Sequence, residues 1–167
     1  DGPAVGGRKV PMRLIYGSEH ARLVLEARDQ ARERLFVLSH RLGLAAHPIA
    51  LLPALAAVQA NGIAASFYYG RTTGPLSGAA SADLIRNLSR QGLSIKPIHR
   101  PRLHAKVLGW DRNMLAISSL NWLSADPSDA APYREIGILV DAPNVADNFL
   151  ARFESAQLPA AELTLPR

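Results

Sequence analysis

The chain has 167 residues, 48% of them hydrophobic, which is enough for one folded core and excludes extensive disorder away from the ends. It has no cysteine, which excludes disulfides and cysteine-ligated zinc. Nineteen Lys and Arg against 14 Asp and Glu give a net charge of +5 and favour a polyanionic partner. We expect a flexible tail or tag remnant at 1–9, a single domain at 10–160 and a second tail at 161–167.

Helix and strand patterns alternate along the chain. Amphipathic or apolar runs with start and stop signals predict helices at 19–33, 48–60, 81–90 and 144–156, the last capped by Asn144. Short apolar runs predict strands at 34–39, 63–69, 93–98 and 135–140, and a hairpin whose second strand is 114–118. This order predicts an α/β fold in which helices flank both faces of a mixed β-sheet, with the hairpin near its centre.

The apolar run 42–58 is too broken to predict a membrane span. His47, Pro48 and Pro53 interrupt it, and Asn61-Gly62 follows as a helix stop. We therefore expect no membrane partner and a cytoplasmic protein.

Two aromatic residues and an arginine precede the turn-rich segment 72–78. Tyr68 and Tyr69 either stack on nucleic-acid bases or pack on the core, and core packing is slightly favoured. Arg71 is a candidate contact to phosphate.

The segment that begins at His104 indicates a chemistry. On a strand, His104 and Lys106 emerge on the same face because they are spaced i and i+2. Asp111 falls in the predicted turn, and the returning strand brings Ser119 and Asn121 beside the first. An imidazole, an ammonium, a hydroxyl and an amide can then reach the oxygens of one phosphoryl group.

This order of residues resembles the signature of the phospholipase D superfamily. His-x-Lys, four residues, Asp, six residues and a small residue before Ser-x-Asn match the signature at positions 104, 106, 111, 119 and 121. Ser118 stands where the family usually has glycine, and Glu135 is similar to the family's acidic residue at the start of a late core strand. The resemblance implies a phospholipase D-like sandwich over most of residues 12 to 157.

The resemblance also implies roles for the matching residues. His104 is the implied nucleophile, which attacks phosphorus and forms a phosphohistidine that water hydrolyses. Lys106, Ser119 and Asn121 are expected to neutralise or hydrogen-bond the phosphate oxygens. Asp111 is expected to support the turn. Glu135 is expected to fix the tautomer of a histidine through its far ring nitrogen.

Basic residues lead directly into this motif. Lys96, His99, Arg100 and Arg102 are expected to flank the cleft and hold a nucleic-acid backbone, although a solvated basic loop is an open alternative. The candidate phosphate or nucleic-acid contacts are Arg71, Arg100, Arg102 and Ser118.

The sequence holds one copy of the motif, whereas departure of the leaving group needs a second histidine as general acid. His20, His40, His47 and His99 lack motif partners and are predicted to be surface or capped histidines. We expect an isologous homodimer with His104 of both chains in one cleft. The alternative is that the chain is one half of a longer protein.

The predicted function is a metal-independent phosphodiesterase, a nuclease acting on DNA or RNA. The histidines show no metal-ligand spacing, so we expect no cofactor. The alternatives are a phospholipid phosphodiesterase, a catalytically dead nucleic-acid-binding module and a purely structural interaction domain.

Overall fold

Alternating apolar side chains build a central sheet in this computed structural model, which describes residues 4–5, 8–43, 50–73, 79–100, 102–126 and 134–157. Within these ranges the helices are α1 (Glu19–Gln30), α2 (Leu52–Asn61), α3 (Ala79–Arg90) and α4 (Val145–Ser155). The strands are β1 (Ala4–Val5), β2 (Arg8–Lys9), β3 (Met12–Tyr16), β4 (Arg34–Leu42), β5 (Ala64–Thr72), β6 (Leu93–Pro97), β7 (Val107–Trp110), β8 (Met114–Ser118) and β9 (Ile136–Asp141).

Among the described residues, seven strands form one mixed sheet in the order β3-β9-β8-β7-β4-β5-β6. Strands β4, β5 and β6 run parallel to one another, whereas β7 is antiparallel to both β4 and β8. Strand β9 is antiparallel to β8 and to the edge strand β3. The β7–β8 hairpin therefore lies near the centre of the sheet, which confirms the predicted α/β architecture.

Helices cover both faces of this sheet, as the sequence predicts. Successive strand side chains point to opposite faces, so Leu35 and Val37 of β4 join the core that contains residues of α1, α2 and α3. Phe36 and Leu38 join the core that contains residues of α4. Each of these four side chains is at most 3% exposed, and full burial of such a side chain contributes about 1.5–3 kcal/mol.

Strand polarity brings many chain ends to one edge of the sheet. The carboxyl ends of β4 and β5 lie there, and so does the start of β7, because β7 is antiparallel to β4. The end of β8, the start of β9 and the end of β3 follow from the same antiparallel pairing. We call this edge the site edge.

The segment before β7 is not a strand, so the predicted strand position of His104 and Lys106 is wrong. Pairing of β7 with β4 stops at Val107, opposite Leu38. The chain before it crosses to β5, where a Cβ on Gly70 would lie 2.3 Å from the carbonyl oxygen of Leu103. Glycine at position 70 therefore permits the crossing.

Helix α1 ends three residues before the predicted end because Asp111 takes the next backbone amides. The Asp111 carboxylate accepts hydrogen bonds from the N–H groups of Arg32 (3.0 and 3.2 Å), Glu33 (2.8 Å) and Arg34 (3.3 Å). These amides are then unavailable to helical carbonyls. Asp111 itself has φ of 50°, a conformation that Asp tolerates better than most residues. It joins the end of β7 to the start of β4.

The other helix ends agree in part with the sequence. Gly62 ends α2 with φ of 65°, as predicted, and Pro53 lies in the first turn of that helix. The predicted side-chain cap of α4 is wrong, because Asn144 makes no side-chain cap hydrogen bond. The carbonyl of Arg112 instead accepts from the N–H groups of Ala146 (2.9 Å) and Asp147 (3.3 Å).

Three strands near the start of the chain were not predicted. Strands β1 and β2 pair within residues 4–9, where the sequence predicts a tail, and β3 forms one edge of the large sheet. The start of the predicted helix at 48–60 and the predicted tail at 161–167 lie outside the described residues. None of the described helices has the length and apolar character needed to cross a membrane.

Replacing Asp111 by Ala should lower the free energy of unfolding by about 1–3 kcal/mol, because three backbone amides, of which that of Arg34 is partly buried, lose a charged acceptor. Alanine at this φ adds strain. Asp111→Asn is the matched control, since it keeps an acceptor oxygen and tolerates the left-handed conformation, and we expect a smaller loss. Urea unfolding of the three proteins measures the effect. Equal stability of Asp111→Ala and the parent would contradict the structural role given to Asp111.

Candidate active site

The segment that carries His104 and Lys106 lies against the end of β8 at the site edge. The N–H of Ser118 donates to the carbonyl of Lys106 at 3.1 Å, which joins the two segments. The Lys106 ammonium donates to the carbonyl of His104 at 3.1 Å. The side chain of His104 is exposed and that of Lys106 is partly buried. An imidazole and a cation are thus held side by side and open to solvent.

Ser119 and Glu135 form a second pair at this edge. The Ser119 hydroxyl donates to the Glu135 carboxylate and accepts from the N–H of Ile136 at 3.1 Å. The N–H of Ser119 also donates to the carbonyl of Ile136 at 3.0 Å. The end of β8 and the start of β9 are therefore locked together, and Glu135 bonds to a hydroxyl. No histidine hydrogen-bonds to Glu135 within the described part of the chain, so the predicted tautomer-fixing contact is not formed there.

Asn121 follows two residues later, with its backbone in a turn. Its carbonyl accepts from the N–H groups of Ser124 (3.0 Å) and Ala125 (2.9 Å). Its side-chain oxygen is buried, and no described residue hydrogen-bonds to it. Buried polar groups are normally paired, so this oxygen is an unsatisfied acceptor, and only a hydrogen-bond donor can satisfy it.

A second histidine that the sequence analysis set aside lies beside His104. The ring centroids of His40 and His104 are 4.6 Å apart, with 43° between the ring planes. Burial lowers the pKa of His40, and the positive charges of His104, Arg71, Arg41 and Lys106 lower it further. His40 is partly exposed, in line with the predicted surface histidine, but the sequence pattern did not indicate its contact with His104. These five residues form a cluster of cationic and ionisable groups, which we call the basic cluster.

The basic loop between β6 and β7 folds back on the end of β5. The N–H of Ile98 donates to the carbonyl of Tyr69 at 2.8 Å, and the ring Nδ1 of His99 lies 3.1 Å from the carbonyl of Gly70. Residues 99 and 102 form an antiparallel bridge, and the loop is thereby held at the site edge. The exposed basic side chains near this edge are Arg71, Lys96, Arg100 and Arg102.

Ser118 has a different position from the predicted one beside the phosphate. Its hydroxyl oxygen lies 2.8 Å from Nε2 of His20, whose Nδ1 lies 2.8 Å from the carbonyl of Gly17. Since a carbonyl only accepts, Nδ1 carries a proton. Nε2 pairs with the serine hydroxyl, which also lies 3.3 Å from the carbonyl oxygen of Ile136. The serine oxygen in turn accepts from the N–H of Leu120 at 2.9 Å. Ser118 therefore anchors the turn before Asn121 and is not free to bind phosphate.

The buried histidine in this contact was also missed. His20 is 0% exposed, and its ring lies 5.3 Å from that of Trp122. Gly137 pairs with Ser118 across β8 and β9. A Cβ at position 137 would lie only 3.0 Å from the Cβ of Ser118, so glycine at 137 leaves room for the serine side chain. The contact between His20 and Ser118 spans 98 residues of sequence, so no local pattern predicts it.

Asp111 does not join the other motif residues. It follows Trp110, whereas Lys106 precedes Val107, so the full length of β7 lies between them, about 16 Å from position 106 to position 111. Its carboxylate is occupied by backbone amides, as described above. The structure therefore brings His104, Lys106 and the Ser119–Asn121 turn to one edge and leaves Asp111 at the other.

The two tyrosines before the 72–78 segment pack on the core. Tyr68 and Tyr69 are each 6% exposed, which confirms the favoured prediction. The Tyr68 hydroxyl donates to Glu154 of α4 at 3.0 Å, and burial, with this carboxylate, raises the pKa of Tyr68 to about 12. Burial also raises the pKa of Tyr69. Neither ring is available to stack on a base.

Solved structures of other proteins are similar to this one. A phospholipase D family member, Nuc, from Salmonella typhimurium superposes with a TM-score of 0.66 at 18% identity, over 87% of this chain and 93% of that chain. NucT from Helicobacter pylori gives 0.59 at 14% identity, over 89% and 94%. Phosphatidylserine synthase from Haemophilus influenzae Rd KW20 gives 0.54 at 16% identity, over 89% of this chain and 37% of that one.

These similarities show that the chain has the phospholipase D superfamily fold, which confirms the fold that the motif implied. No protein-family model and no curated protein matches the sequence.

Replacing Ser118 by Gly should destabilise the protein by about 1–3 kcal/mol, because Nε2 of the buried His20 loses its partner. This outcome is notable because glycine is the residue usual in the family motif. His20→Phe is the matched background, since it keeps a ring beside Trp122 and has no nitrogen to satisfy. We expect Ser118→Gly to cost less in that background. Urea unfolding of the four proteins completes the double-mutant cycle, and strictly additive effects would contradict the coupling.

Proposed function

We propose that this protein is a phosphodiesterase that hydrolyses DNA or RNA, with His104 as the nucleophile. The observation that carries the proposal is the convergence of His104, Lys106 and the Ser119–Asn121 turn at one edge of a phospholipase D fold. A phospholipase D family member of similar structure, aligned over 93% of its own chain, supports phosphodiester chemistry.

The arrangement meets the electrostatic needs of attack on a phosphodiester. The anionic ester repels nucleophiles, so its nonbridging oxygens must be neutralised before nitrogen can approach phosphorus. Lys106 supplies a compact cation next to His104, and Arg41 and Arg71 add positive charge around His40. A bound phosphate anion would balance this positive charge.

The surroundings of the site favour a nucleic acid as the substrate. The chain carries a net charge of +5, and the exposed Arg100 and Arg102 lie on the loop that packs against the end of β5. Contacts from such residues to successive phosphates hold a backbone in register without reading its sequence. A phospholipid is the second candidate substrate, because one similar structure is a phosphatidylserine synthase.

Cleavage of labelled single- and double-stranded DNA and RNA in excess EDTA tests this proposal. We expect the parent to cleave at least one of these substrates, and His104→Ala to reduce cleavage to the uncatalysed level because no nucleophile remains. Lys106→Ala should slow cleavage and weaken binding, since the phosphate loses a cation. Arg152→Gln, an exposed change on α4, serves as the control and should match the parent.

Each other outcome points to a different function. Cleavage of phospholipid vesicles without cleavage of nucleic acid would indicate that the substrate is a phospholipid. DNA binding without turnover of either substrate would indicate a dead binding module. Unchanged cleavage by His104→Ala would contradict the role of His104.

We also propose that two copies of the chain associate through an exposed apolar surface on β3, β8 and β9. This surface comprises Met12, Leu14, Ile117 and Ile136, whose exposed fractions are 37%, 53%, 50% and 42%. The strand register sets Leu14 and Ile117 on opposite sides of Ile138, so all three share one face of the sheet. Contiguous exposed apolar side chains of this kind mark interfaces.

The position of this apolar surface favours a second copy as its partner. Ile117 immediately precedes Ser118, and Ile136 immediately follows Glu135, so the surface borders the site edge. An isologous dimer through it would set two site edges next to each other and present both basic loops to one polyanion. The position of this surface supports the homodimer that the single motif suggests.

The mass of the protein in solution tests the dimer. Sedimentation equilibrium should give twice the chain mass of 18.0 kDa for the parent. The double variant Leu14→Lys/Ile117→Lys should sediment as a monomer because two charges would be buried in the interface. Leu25→Lys is the matched control, since Leu25 is 41% exposed on α1, which packs on the opposite face. A monomeric parent, or loss of the dimer only in the control, would contradict this interface.

A further inference from the structure

The proposed reaction acts on one phosphate, and the ends of β4 and β5 form a second anion site beside it. We infer that Arg41 and Arg71 together bind the phosphate that neighbours the scissile one on the same nucleic-acid chain. The inference rests on the proposed phosphodiesterase function. It makes the preferred substrate a chain with at least two consecutive phosphates, which a phospholipid with a single phosphodiester does not have.

The two arginines are direct neighbours across β4 and β5. The parallel register pairs Arg41 with Arg71. Paired residues lie on strands about 4.8 Å apart, and their side chains leave the sheet on the same side. Both side chains are exposed. Two guanidinium groups are therefore presented side by side to solvent.

The backbone around both arginines is held in place. The hydroxyl of the buried Ser39 donates to the carbonyl of Arg41 at 2.8 Å. On the other strand, the carbonyl of Gly70, the residue before Arg71, lies 3.1 Å from Nδ1 of His99. Because the backbones are fixed, only the two side chains need to adjust to an anion. A fixed backbone lowers the entropy that binding costs.

No carboxylate of the described residues forms an ion pair with either guanidinium. Like charges directly opposite each other on neighbouring strands are destabilising. Other arginines in the described part of the chain do pair with Asp or Glu, namely Arg13, Arg22, Arg28, Arg34, Arg86 and Arg112. An anion bound between Arg41 and Arg71 would remove the repulsion between them.

The chemistry of the guanidinium group favours a phosphate as this anion. Its planar fork of N–H donors matches two phosphate oxygens at once, which the ammonium of lysine cannot do. A phosphodiester has two nonbridging oxygens, and each of them accepts more than one hydrogen bond. Both guanidinium groups can therefore donate to the same phosphate.

The arginine pair lies next to the candidate nucleophile. Arg41 follows His40, whose ring centroid is 4.6 Å from that of His104. The positive charges of Arg71 and Arg41 both lower the pKa of His40, so both lie close to it. The midpoint between β4 and β5 is one and a half strand spacings, about 7 Å, from the line of β7, which His104 precedes. This distance suits the next phosphate along a chain and is too long for the phosphate that His104 attacks.

Substrates with one or two phosphates test the inference. Thymidine 5′-(4-nitrophenyl phosphate) has a single phosphate, and a 3′-phosphate added to it provides the neighbour. Thymidine 3′-(4-nitrophenyl phosphate), with and without a 5′-phosphate, provides the neighbour on the other side of the sugar. Release of 4-nitrophenolate in excess EDTA gives kcat/KM for each substrate, and the ratio within each pair measures the preference for the second phosphate.

We expect the parent to prefer the two-phosphate substrate of at least one pair by about tenfold or more, because hydrogen bonds to charged groups contribute on that scale. In Arg41→Gln and Arg71→Gln this preference should fall towards one. Arg71→Lys should keep part of it, since the charge stays and the fork is lost. Arg152→Gln is the control and should keep the parental preference. Because each preference is a ratio for one protein, slower turnover of both substrates leaves it unchanged.

The salt dependence of DNA binding gives a second readout that needs no turnover. Binding of labelled single-stranded DNA is measured by fluorescence anisotropy in the His104→Ala background, which prevents cleavage. The slope of log K against log salt should be shallower by about 0.7 in Arg41→Gln/Arg71→Gln, because one phosphate contact is lost. Arg152→Gln should leave the slope unchanged. Unfolding midpoints close to that of the parent establish that the variants are folded.

Equal kcat/KM within both substrate pairs, or a preference that survives in both arginine variants, would overturn the inference and leave the proposed function in place. An unchanged salt slope in the folded double variant would also overturn it. Failure of the parent to release 4-nitrophenolate from all of these substrates and to cleave DNA would instead contradict the proposed function. The salt slope would then still decide whether the arginine pair binds phosphate.

Discussion

Backbone pairing of β7 between β4 and β8 is the constraint on which the candidate site depends. Val107 pairs with Leu38 on one side and with Ile117 on the other, so the segment before β7 must emerge between the ends of β4 and β8. A shift of one residue would turn every side chain of β7 to the opposite face and into the core on the other side of the sheet, where it does not fit. The burial of Val107 and Leu108 against different cores therefore also fixes the position of His104.

At the site edge, hydrogen bonds fix the part formed by β8 and β9, whereas positive charges repel one another in the part formed by β4 and β5. Around β8 and β9, Ser118 pairs with His20 and Ser119 pairs with Glu135, so these four side chains find partners within the protein. Around β4 and β5, like charges approach one another without a carboxylate among the groups that shift the pKa of His40. Such repulsion lowers stability until an anion binds. The fixed polar side chains near β8 and β9 and the unbalanced positive charge near β4 and β5 are together suited to binding phosphate.

Local patterns predicted the elements whose signals lie within a few residues. The bounds of β8 match the prediction, and Gly62 ends α2 as expected, because alternation and helix-stop signals act locally. The contacts of His40 and His20 could not be predicted in this way. His40 meets His104 only because β4 and β7 pair across more than 60 residues of sequence, and His20 meets Ser118 across 98. The resemblance identified the motif, whereas the tertiary pairing identified what surrounds it.

Identification of the covalent intermediate tests the central claim most directly. The parent is mixed with bis(4-nitrophenyl) phosphate, quenched in alkali during turnover, digested and analysed by mass spectrometry, because phosphohistidine survives base. We expect one 4-nitrophenyl phosphoryl group on the peptide that contains His104, at the imidazole, and no adduct in His104→Ala. A parent that turns over this substrate without any adduct on His104, or with the adduct on another residue, would contradict the account.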